Sequence, residues 1–74
     1  MEKATPRMRL AAAIRARRTE LKLSQDDFAD VIDMHRAYYS SIERGERNLT
    51  LETLLRVAAG LRMDVAALAQ KAKI

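Results

Sequence analysis

Cysteine and tryptophan are absent from the 74 residues, and the chain holds one histidine, one proline, two glycines, two tyrosines and one phenylalanine. Without a thiol, neither a disulfide framework nor a thiolate metal site can form. The one imidazole, His35, has no second histidine with which to share a metal or a proton relay. No apolar run approaches the ~20 residues of a membrane-spanning helix, and the opening MEKATPRMRL lacks the apolar core of a signal peptide. A soluble, cytoplasmic protein that does not engage a membrane is expected. No nucleophile with an adjacent base, phosphate loop or metal-ligand set stands out, so no enzymatic activity, metal, cofactor or small-molecule ligand is expected. The neighbouring carboxylates Asp26 and Asp27 do not alter this, since the start of a helix favours acids for structural reasons. Repeats, low-complexity tracts and linkers are lacking too.

What is present is a balance of apolar and charged residues, 49% and 32%, which suits one folded helical domain over residues 1–74 and argues against disorder. A chain this short buries a modest core, so association with a second copy is the natural supplement. The net charge of +4 favours a polyanionic partner, DNA or RNA.

The stretch from Ser24 to Asn48 organises the rest. Phe28 and Ile32 lie one helical turn apart, as do Tyr39 and Ile42, so two short helices each present an inward face. Met34 can plug the corner between them, and Ala29 is small where two steeply crossing helices must approach. Ser24 is a good N-cap with Asp27 three residues on. Asp33 stands at a turn where a left-handed residue is wanted. His35 can cap the second helix, Arg36 to about Arg44, which ends at Gly45. This is the pattern of a helix-turn-helix, whose second helix enters the DNA major groove.

Around it, residues 1–6 read as a flexible arm, with Pro6 placed to open a helix running to about Lys22. Leu10, Ile14 and Leu21 form its inner stripe, and Arg7, Arg9, Arg15, Arg17 and Arg18 make its other faces basic. Leu49 anchors a polar loop, and Thr50 caps a helix from Leu51 to about Ala59 in which Leu51, Leu54, Leu55 and Ala58 mark an amphipathic face. Gly60 ends that helix, and Asp64 caps a last one, Val65 to about Lys71. Val57, Leu61, Met63, Val65, Leu68 and Ile74 exceed what the core needs, which makes residues 61–74 the expected dimerisation region, with Leu61, Met63, Val65 and Leu68 at the interface.

If the second helix reads DNA, its first two turns supply the base or groove contacts: Arg36, Ala37, Tyr38, Ser40 and Ser41. Arg36 can pair bidentately with guanine. Gln25, His35, Arg44, Asn48 and the Thr50 hydroxyl are placed for backbone phosphates. Glu43 sits awkwardly among them and must be neutralised or turned away.

The segments SQDDFAD and MHRAYYSSIERGERN closely resemble the Cro and lambda-repressor-like (XRE-type) helix-turn-helix domains, and among them the small controller proteins of restriction-modification operons. The resemblance covers about Met8 to Leu68. It implies an all-α, five-helix lambda-repressor-like DNA-binding domain, working as a homodimer on a symmetric operator in double-stranded DNA. It assigns base or groove reading to Arg36 and Tyr38, backbone contacts to Gln25, Asn48 and Thr50, and a place near the operator centre to Arg47. It also implies that Glu43 is a buried acid paired with Arg18 of the first helix, a structural ion pair. Lys22 and Asp33 stand where the family often has glycine, while Ala37 and Tyr39 depart from the controller pattern, so the operator sequence does not carry across. A promoter-bound dimer would either block RNA polymerase or contact it. Other readings are a phage-type repressor, an antitoxin, or a protein-interaction module that has lost DNA binding.

Overall fold

The computed structural model describes residues 4–74. Within them the regular structure is α-helical: α1 Pro6–Glu20, α2 Gln25–Val31, α3 Arg36–Glu43, α4 Leu51–Gly60 and α5 Val65–Ala72. Each start is set by a side chain that accepts a hydrogen bond from the first turn's backbone. Thr5, Ser24, Thr50 and Asp64 accept from Met8, Asp27, Thr53 and Ala67, while His35 accepts from Ala37. Thr5 therefore belongs to α1 rather than to a loose arm; residues 1–3 of that expected arm lie outside the described residues.

The helix ends share one solution. Lys22, Asp33, Gly45, Arg62 and Lys73 all adopt the left-handed conformation just past α1 to α5. In each case the next amide reaches back five residues, as from Met34 to the Ala29 carbonyl at 2.8 Å and from Met63 to Ala58 at 3.0 Å. This is the Schellman closure. Gly60 closes α4 as expected, but the left-handed position falls to Arg62 rather than to the glycine. Gly60 is needed for proximity instead: a Cβ there would sit 2.4 Å from Ile32 Cγ2 and 3.0 Å from Phe28 Cζ.

One core joins the elements. Ile14, Phe28, Tyr39, Val57, Leu61 and Leu68 are fully buried, with Ala13, Ala29, Ile32, Ile42, Ala58 and Ala72 around them. Phe28 and Tyr39 stack at a tilt, ring centres 5.1 Å apart. α5 packs against α1, where Ala13 and Ala72 both enter the core and their small size lets the helices approach. That packing corrects the dimer assignment. Leu61 and Leu68 have no exposure in the single chain, so they cannot form an interface; Met63 and Val65 are half-buried against the core. On α4 the buried face runs through Leu54, Val57, Ala58 and Leu61, leaving Leu51 and Leu55 exposed at 68% and 51%. The helical period was right and its inner face lies further round.

Candidate nucleic-acid interface

The turn between α2 and α3 is short because Asp33 turns left-handed (φ 53°), letting Met34 fold its amide back onto α2 and its side chain onto the core. α3 then crosses with Tyr39, Ile42, Glu43 and Ser41 inward. Its outer face carries Arg36 and Ala37, exposed, with Tyr38 and Ser40 half-exposed.

A buried polar cluster fixes that orientation. The Glu43 carboxylate, its side chain 2% exposed, accepts from Arg18 Nε at 2.6 Å and Nη2 at 3.0 Å, from Gln25 Nε2 at 2.9 Å, and from the Tyr39 hydroxyl. Arg18 also donates to the Leu23 carbonyl at 2.7 Å. One acid thus ties α1, α2 and α3 together through a bidentate fork. Burial pushes the Glu43 carboxyl upward, but the hydrogen bonds from Arg18, Tyr39 and Gln25 outweigh it and hold the group below the usual carboxylate range. Burial, reinforced by Glu43, raises the Tyr39 hydroxyl so that it stays a donor. Glu43 is therefore turned away from the outer surface, where it would have opposed an anion.

The residues expected to reach DNA fall into three groups. Arg36 and Ala37 stand exposed at the first two positions of α3, and Arg36 Nη1 donates to Asp26 Oδ2 at 2.9 Å across the turn. The Arg47 guanidinium lies 4.9 Å from the Tyr38 ring centre and its Nε donates to Ser41 Oγ at 2.9 Å, so these three are locked to one another. Ser41 itself is buried and donates to the Tyr38 carbonyl at 2.6 Å. Its assignment as a base reader is corrected: it positions Arg47 from beneath, because α3 turns that position inward.

Along the expected phosphate path, the exposed His35 accepts the Ala37 amide on Nδ1 at 3.2 Å. Gln25 gives one amide hydrogen to Glu43 and keeps the other. Arg44 is held by Glu46 at 3.0 and 3.1 Å and by Ser40 at 2.7 Å, an exposed pair that a phosphate can displace at little cost. Asn48 accepts from Arg7 Nη1 at 3.0 Å, which brings the start of α1 beside the α3–α4 loop. The Thr50 hydroxyl caps the Thr53 amide at 3.1 Å and donates to Thr53 Oγ1 at 3.0 Å, so both of its functions are engaged within α4.

Several partners escaped the sequence reading, among them two that bear on α3. The Tyr39 hydroxyl lies four residues from Glu43, a helical spacing that could have suggested the contact. Asp26 meets Arg36 only because the turn folds α2 across α3, and nothing in the spacing signals it.

Residues 14–68 match the helix-turn-helix family HTH_3. Control protein C.MunI of Mycoplasma sp is 46% identical over 52 residues, 70% of each chain. The restriction-modification controller protein C.Esp1396I, solved as a tetramer with its natural 35 base-pair operator, is 26% identical; it superposes with a TM-score of 0.81 over 97% of this chain and all of its own. The clp gene regulator ClgR of Corynebacterium glutamicum superposes with a higher TM-score, 0.91, at 26% identity over 97% of this chain and 92% of its own. The buried Glu43 that aims α3 outward, the short left-handed turn before it and the match over most of the chain converge on one statement: this chain belongs to the HTH_3 helix-turn-helix family and is similar to the restriction-modification control proteins.

Proposed function

We propose that the chain is a non-enzymatic, sequence-specific DNA-binding transcriptional regulator of the restriction-modification controller kind, acting as a homodimer on a symmetric operator. The observation that carries this is the exposed Arg36 at the first position of a helix whose opposite face is locked by the Glu43 cluster. A helix held this way can enter a major groove without rearranging, presenting Arg36, Ala37 and Tyr38 to base edges. His35, Arg44, Arg47, Asn48 and the N-terminus of α2 at Gln25 flank it where the phosphate backbone would pass. The kinship with control proteins, one of them solved on its operator, supports the same reading.

Dimerisation is assigned to the apolar surface left after the core is filled: Leu51 and Leu55, one turn apart on the outside of α4, with the half-buried Met63 and Val65. The promoter-bound dimer would act by obstructing or contacting RNA polymerase.

The test is the salt dependence of binding to duplex DNA, followed by fluorescence anisotropy. Phosphate contacts predict that log affinity falls linearly with log salt, with a slope of about 0.9 per phosphate neutralised. Affinity indifferent to salt would overturn the reading in favour of an apolar protein partner.

A further inference from the structure

Arg36 does not stand alone on the outer face: Asp26, the second residue of α2, holds its Nη1 at 2.9 Å. The two side chains are 71% and 57% exposed. An exposed pair of this kind contributes little to stability. Its consequence is where it holds the guanidinium. Five N–H donors surround that group, and one is taken by Asp26. The far edge keeps the parallel fork that matches guanine O6 and N7. The carboxylate also opposes a swing of Arg36 toward phosphate, because a phosphate drawn to Arg36 would approach Asp26 as well.

An acid on this surface weakens attraction to any nucleic acid, so its presence favours discrimination over raw affinity. Asp27, its neighbour, supplies the amide that Ser24 caps, so α2 has an acid in its first turn without Asp26. We propose that Asp26 is a positioning residue for base reading. It stays paired with Arg36 Nη1 in the complex, keeps the opposite guanidinium edge directed at the groove floor, and makes guanine the preferred base there. This rests on the DNA-reading function proposed above.

The test compares the wild-type chain with Asp26→Ala, Arg36→Ala and the double variant. Dissociation constants are measured at one salt concentration on the selected operator, on that operator with the guanine replaced symmetrically in both half-sites, and on unrelated duplex. Asp26→Ala is expected to tighten binding to unrelated duplex, since a negative charge is lost. It is also expected to lower the ratio between operator and guanine-replaced operator by about three- to tenfold, a part of the roughly 5- to 150-fold that one bidentate pair supplies. In the Arg36→Ala background, removing Asp26 should leave that ratio unchanged. Equal tightening on all three duplexes would overturn the proposal, reducing Asp26 to a competitor of DNA. A ratio that falls as much without Arg36 as with it would overturn it too, since Asp26 would then act through another group. Failure of the DNA-reading function itself looks different: the wild-type chain would show no preference among the duplexes before any substitution is made.

Discussion

Glu43 has its charge answered almost entirely by protein. Arg18, Gln25 and Tyr39 supply four hydrogen bonds to its two oxygens, so removing any donor leaves a buried anion short. Tyr39→Phe is expected to cost about 1–3 kcal/mol of unfolding free energy. Arg18→Ala should cost more, about 3–5 kcal/mol, because it strands the charge. Urea unfolding monitored by circular dichroism checks both, and a Tyr39→Phe variant as stable as the wild type would contradict the network. The same acid sets a pH dependence. Its folded pKa lies below its unfolded value, so the cluster's contribution is complete above the ordinary carboxylate value of about 4.3 and is lost as pH falls through the lower folded value. Glu43→Gln should flatten the fall in stability below about pH 4.3, read from thermal midpoints across an acid series; an unchanged profile would assign that fall to other carboxylates.

The elements show how far local chemistry is legible. Ser24, His35, Thr50 and Asp64 announce the starts of four helices because capping is a contact within one turn. The left-handed position at Asp33 was also expected, from the turn, and Lys22 stands where the resembling domains often have glycine. Those at Arg62 and Lys73 were not expected, because nothing in their residue type marks a left-handed site; what fixes them is the amide of the next residue returning to a carbonyl five back. Gly60 is the last residue of α4, as expected, but not for its backbone freedom. It looks like a terminal glycine, and only the approach of Ile32 and Phe28 reveals its purpose. The pair yields opposite predictions two residues apart. Gly60→Ala should destabilise by about 1–3 kcal/mol through overpacking. Arg62→Gly should stabilise by up to about 1 kcal/mol, relief of the left-handed strain exceeding the added freedom of the unfolded chain. Thermal denaturation of the two variants decides, and loss of stability in Arg62→Gly would refute the strain.

For the whole molecule, the sequence exposed the candidate site more clearly than the dimer surface. Arg36 and Ala37 fall outward, with Tyr38 half-exposed beside them, because the buried positions of α3 are apolar or cross-linked, a pattern of one helix. Which leucines of α4 and α5 face a partner depends on how α5 returns to α1, a contact between chain ends that no local period encodes. Leu68 is core, so Leu68→Lys should unfold the chain, whereas Leu55→Lys should leave helicity intact and raise the dimer dissociation constant by at least about tenfold. Sedimentation velocity separates these outcomes; an unchanged Leu55→Lys dimer would move the interface elsewhere. The central claim, that α3 of two paired chains reads DNA through Arg36, meets its most direct test in selection of binding sites from random duplex DNA by the wild-type protein and by Arg36→Ala. The account predicts a two-fold symmetric site with half-sites about one helical turn apart for the wild type, and relaxed preference at one base position per half-site for the variant, worth about 1–3 kcal/mol. Enrichment of no sequence at low or moderate salt, or an identical site from both proteins, would contradict it.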